Sequence, residues 1–124
     1  MTETSLAAPQ IDRIFAEISD NASETEADLR QITIILSQVL SENNIPDVKM
    51  LANYSSVCAR ATAYREAVEA MNSHPDDDEN LRALQMRADS HLYGAQLWSG
   101  PMGLLYCDLL LAVWKEIHEI AHRK

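Results

Sequence analysis

Between Pro46 and Asn72 the chain carries two stripes at helical spacing, with no glycine and no second proline, and this stretch constrains the fold more than any other. Met50, Tyr54, Val57, Ala61, Tyr64, Val68 and Met71 alternate four- and three-residue steps, a 3.5-residue period sustained over three heptads. Ala52, Ser56, Ala59, Ala63, Ala67 and Ala70 form the second stripe, and small side chains let another helix approach closely. A helix with two such faces needs neighbours on two sides, either within one chain or across a dimer. Met50, Tyr54, Val57, Ala61, Tyr64 and Val68 are the candidate self-association face of a homodimer.

The rest of the 124 residues follows the same logic. With 47% hydrophobic residues but only three Gly and four Pro, the chain lacks the turn residues that a β-rich fold of this length requires. Five helical segments are predicted. Pro9 to Ser19 carries Ile11, Ile14, Phe15 and Ile18 on one face and is expected to end at Asp20-Asn21. A second opens with the capping box Ser23-x-x-Glu26 and stops near Asn43-Asn44. The third, Pro46 to about Asn72, is expected to be the longest, with Pro46 at its first position. The fourth follows Asp76-Asp77-Asp78-Glu79, shows Leu81, Leu84, Ala88, His91, Ala95 and Trp98 on one face, and stops at Ser99-Gly100-Pro101. The fifth runs from about Met102, apolar nearly all round to Trp114. The expected fold is an all-α, single-domain bundle of four to five helices with short loops. The third and fifth segments form its spine, and residues 1–8 are expected to be a disordered tail.

Charge narrows the functional classes. Residues 1–80 hold fifteen acids and five Lys/Arg, while residues 81–124 hold four acids and five Lys/Arg, so the whole net charge of −9 lies in the first two-thirds. Such a surface disfavours direct nucleic-acid or anionic-lipid binding and fits a basic protein partner. No apolar stretch reaches the length of a membrane span, since the run Leu104 to Trp114 is interrupted by Asp108. No secretory signal is read at the N-terminus, and Cys58 and Cys107 are expected as reduced, buried thiols of a cytoplasmic protein.

Three groups of residues have the chemistry of a site. His118-Glu119-Ile120-Ala121-His122 spells H-E-x-x-H, which puts two imidazoles on one helix face for a zinc ion and a Glu beside them as general base. In the zincin metallopeptidases that these five residues resemble, a third ligand follows downstream. Here only Arg123 and Lys124 follow, which leaves upstream donors such as His91, His74 or Asp108. His91 and Asp108 also form a candidate pair across neighbouring helices, with Arg87 as an alternative partner for the carboxylate. Asp76 to Glu79 and Trp98 are candidate partner contacts, the acids also suiting a helix start. No nucleophile elbow, P-loop or C-x-x-C pair is present, and no second Glu-x-x-His copy supports a di-iron bundle.

These features favour a non-enzymatic acidic helical module, an adaptor, regulator or inhibitor of a basic partner that needs no cofactor. The alternatives are a zinc-dependent hydrolase or metal-binding protein using His118, Glu119 and His122, and a small helical subunit of a phage or defence nucleic-acid complex.

Overall fold

The computed structural model describes residues 8–97 and 105–123. It contains four α-helices, α1 (Ala8–Ser41), α2 (Val48–Met71), α3 (Asp77–Leu97) and α4 (Leu105–Ala121), and no strand among the described residues. α1 and α2 run antiparallel, Ala22 lying near Val68 and Ile35 near Asn53, as do α3 and α4, where Gln85 meets Ala121 and Asp89 meets His118. The bundle expected from composition and periodicity is the one observed.

The main departure is α1. Asp20-Asn21 does not end a helix, and Ser23 with Glu26 does not begin one; the first two expected segments are one helix of 34 residues, longer than the 24 of α2. The physical reason lies in the stripe itself. Ile11, Ile14, Ile18, Ala22, Thr25, Leu29 and Ile32 continue in steps of three and four through the supposed break. Thr25 is buried because its hydroxyl returns a bond to the Asn21 carbonyl at 2.7 Å. The Asn21 amide meets the Tyr64 hydroxyl at 3.1 Å, so a polar residue inside the helix is satisfied by a neighbouring one. Glu26 takes no capping role and instead pairs with Arg65 of α2.

Helix ends follow local chemistry. Asn43 adopts φ 59°, and the bonds Asn44 N–H to Val39 C=O and Asn43 N–H to Leu40 C=O, both 3.1 Å, close α1 with a Schellman motif. Asp47 caps α2, accepting the Met50 N–H at 2.7 Å, so Pro46 precedes the cap and does not take the expected first helical position. Asp76 accepts the Asp78 N–H at 2.9 Å, and Asp77, Asp78 and Glu79 fill the first turn of α3. The expected tail, the Ser99-Gly100-Pro101 stop and the Met102 start lie outside the described residues, as do Trp98 and the Cys107 side chain.

The core joins all four helices around Ile14 and Ile18 of α1, Tyr64 and Ala67 of α2, Leu84 and Ala88 of α3, and Trp114, Ile117 and Ala121 of α4. The alanine stripe is satisfied inside the chain, for Ala59, Ala63, Ala67 and Ala70 are buried whereas Ala52 and Ser56 are exposed. Of the expected spine, α2 touches all three other helices, and α4 is described over 17 residues, its apolar face buried from Val113 onward.

Candidate functional site

Two regions outside the packed core gather the side chains from which a function can be argued. The first is the upper half of the α1–α2 hairpin, the end that holds the connection between Ser41 and Val48. From residue 33 to residue 58 not one residue is buried. The stretch is nonetheless rich in aliphatic side chains. Ile45 and Val48 are 93% and 83% exposed, Ile34 and Leu40 more than half exposed, and Ile35 and Leu51 nearly so. Ile32, Ile35 and Val57 line a groove between the two helices, with Asp28, Gln31 and Asn53 at its polar margin. Glu42, Asp47 and Lys49 are exposed at or near the hairpin connection. Where exposed aliphatic side chains form one contiguous patch, they mark an interaction surface.

The proposed self-association face of α2 divides between the two halves of the molecule. Ala61 and Tyr64 are buried in the chain's own core and are not available to a second copy. Val68 is half-buried against the same core, while Met50, Tyr54 and Val57 belong to the upper hairpin. Cys58, expected to be buried, is a half-buried free thiol.

The second region is the seam of α3 with α4. His118 and His122 bring their rings to a centroid distance of 4.2 Å, tilted by 40°. Across the seam Asp89 Oδ1 lies 2.9 Å from His118 Nε2 and 3.4 Å from His122 Nε2. One donor atom from each of the three residues falls within 4.8 Å of the others. The third member that H-E-x-x-H lacks downstream thus stands upstream on another helix, at a residue the sequence reading did not single out. Its signal was indirect, an acid one residue after the core position Ala88. Glu119 is exposed and outside this group.

His91 is elsewhere. It stacks on Trp114 with ring centroids 4.2 Å apart and bonds Glu66 at 2.8 Å, and Arg87 donates to the same carboxylate at 2.9 Å. The expected partnership with Asp108 is not formed, because Asp108 is exposed and the carboxylate that meets His91 and Arg87 comes from α2.

A further polar cluster was missed altogether, since its central aromatic had been read as part of an apolar stripe. Arg60 grips Glu116 with two bonds of 2.7 and 2.9 Å, and the Tyr64 hydroxyl donates to the same carboxylate at 2.8 Å. The Arg60 guanidinium holds the Glu116 carboxyl below its ordinary value, and burial, aided by the Glu116 carboxylate, pushes the Tyr64 phenol up. Through Asn21 this cluster ties α1, α2 and α4 together. Its groups saturate one another, which makes it a register lock between helices. Asp76 to Glu79 have their own structural roles at the start of α3, exposed and at the opposite end of α2 from the hairpin connection.

Compared with known proteins, the chain matches no family model, no curated protein and no solved structure. None of the described helices is long and apolar enough to cross a membrane.

Proposed function

We propose that this protein is a non-enzymatic helical protein-binding module whose contact surface is the upper half of the α1–α2 hairpin. The observation that carries the reading is the unburied stretch from 33 to 58, which exposes Ile34, Leu40, Ile45, Val48 and Leu51 to water. Hydrophobic side chains left in water add nothing to the stability of the free chain, whereas covering them with a partner contributes roughly 25 cal/mol per Å². Glu42 and Asp47 outweigh Lys49 in this stretch, and with a net charge of −9 the chain favours a partner whose apolar ridge is bordered by Lys or Arg. Adaptor, regulator and inhibitor are the functional classes that such a module serves.

The test is affinity capture under native conditions with the wild-type chain and with an Ile34→Glu/Ile45→Glu/Val48→Glu variant, each also examined by sedimentation velocity. The expected result is a stoichiometric partner held by the wild type and lost by the variant, whose helical content is unchanged. A chain with Asp76, Asp77, Asp78 and Glu79 neutralised retains the partner, because those residues sit at the other end of α2. Equal capture by wild type and hairpin variant would remove the proposal, as would a wild type that remains monomeric and alone.

A further inference from the structure

We propose that Asp89, His118 and His122 form a binding site for a divalent transition-metal ion of the zinc class. The inference is independent of the hairpin surface, which lies at the far end of the bundle from the last turn of α4. Zinc holds nitrogen and oxygen ligands at about 2.0–2.2 Å in tetrahedral array, which sets neighbouring donors about 3.4 Å apart. Asp89 Oδ1 is 3.4 Å from His122 Nε2, at ligand spacing, and 2.9 Å from His118 Nε2, a hydrogen-bond distance shorter than that spacing. An ion held by the three residues replaces the contact between Asp89 and His118 with two metal bonds, the donors settling at ligand spacing.

The scaffold under the three donors is firm. His118 and His122 are one turn apart on α4, and buried Ile117, Ile120 and Ala121 fix that turn against the core. Asp89 follows the fully buried Ala88, and one turn earlier the Gln85 amide donates to the Ala121 carbonyl at 2.9 Å, pinning α3 to the end of α4. Two imidazole nitrogens and a carboxylate oxygen, with no thiolate, suit zinc, cobalt or nickel and not a soft monovalent ion. All three side chains are about one-third to two-fifths exposed, so an ion can enter from solvent and keep its fourth position for water. Glu119 stands exposed outside the group, and no strand among the described residues is available to align a peptide. The site is therefore one for metal binding, in which the ion staples α3 to α4, and not one for peptide hydrolysis.

The experiment uses the full chain without an affinity tag, stripped with chelator and titrated with Zn²⁺ in competition with a chromophoric chelator. One equivalent is expected to bind, and Asp89→Asn and His122→Gln each weaken it by about tenfold or more, as loss of a ligand should exceed the loss of an outer-shell partner. His91→Gln and Cys58→Ser leave the affinity within about twofold, since neither residue contributes a donor to the site. Zn²⁺ also raises the melting temperature of the wild type and not that of Asp89→Asn, a linkage readout that holds even where the variant is itself less stable. Binding that is equally strong in wild type, Asp89→Asn and His122→Gln would overturn the assignment. So would the absence of a zinc-dependent melting shift in the wild type, or a loss of affinity in His91→Gln as large as that in Asp89→Asn.

Discussion

The two ends of the α1–α2 hairpin are made of similar amounts of apolar residue and meet opposite fates. In the lower half, Ile11, Ile14, Ile18 and Ile32 of α1 and a set of alanines with Tyr64 and Met71 of α2 are buried. In the upper half, larger side chains such as Ile34, Leu40, Ile45, Val48 and Leu51 stand in water. Hydrophobicity alone does not decide burial. The lower half has α3 and α4 packed against it, and there even a methyl group is fully enclosed. In the upper half no residue from 33 to 58 is enclosed to that degree, and the side chains of α1 and α2 there keep contact with water. One end of a single hairpin therefore stabilises the fold, and the other is left as a surface.

The strongest challenge to this contrast is removal of the largest core side chain. Trp114→Ala should cost about 3–5 kcal/mol in urea unfolding, enough to threaten folding of a chain this size. A loss below about 1 kcal/mol, the ordinary scale of a point substitution, would mean that the lower half is not close-packed. Next in size is a matched pair on one helix. Ala67→Leu overfills a fully buried site and should cost about 1–3 kcal/mol. Ala52→Leu, on the exposed upper part of α2, should stay within about 0.5 kcal/mol. Equal effects at the two alanines would erase the distinction.

The Arg60–Glu116–Tyr64 cluster sharpens it through pH. The folded carboxyl of Glu116 lies below its ordinary value, so its contribution is present above the unfolded carboxyl range and is lost as pH falls through the folded value. Arg60 and Glu116 are 36% and 39% exposed, so solvent screening discounts the effect to on the order of 1 kcal/mol. Glu116→Gln should flatten the acid limb of the stability profile below about pH 5, the range in which native carboxylates become protonated. The raised phenol of Tyr64 acts at the other extreme, where its stabilising neutral form is lost as pH climbs through and beyond the ordinary phenol range. Tyr64→Phe should remove part of that alkaline loss. The smallest effect belongs to the surface, where Ile34→Ala, Ile45→Ala and Val48→Ala should each shift unfolding by less than about 0.5 kcal/mol while weakening partner capture.

Much of the fold was readable from local pattern, because helical periodicity, Asn43 at a left-handed cap and the acids before α3 are properties of neighbouring residues. Readings that depended on which helices touch, and at what height, failed. Asp20-Asn21 looked like a stop until Tyr64 of another helix satisfied Asn21. His91 was assigned to Asp108, but the register of α2 on α3 gave it Glu66. The same limit hid Asp89, since nothing in its immediate sequence says that it faces His118 across a seam. The two stripes of α2 announced neighbours on more than one side, yet only packing shows that there are three and that the alanine stripe is filled within the chain from Ala59 onward.

Hydrogen exchange on the free protein, read amide by amide, tests the division of labour most directly. Helical amides in a closed core exchange only through large openings, whereas those of a stretch with few buried apolar contacts open locally. The account predicts strong protection in α1 up to about Ile32 and in α2 from Ala59 onward, with markedly faster exchange from residue 33 to residue 58. Uniform protection along both helices would show that the upper hairpin is as firmly held as the core, and would contradict its assignment as a surface awaiting a partner.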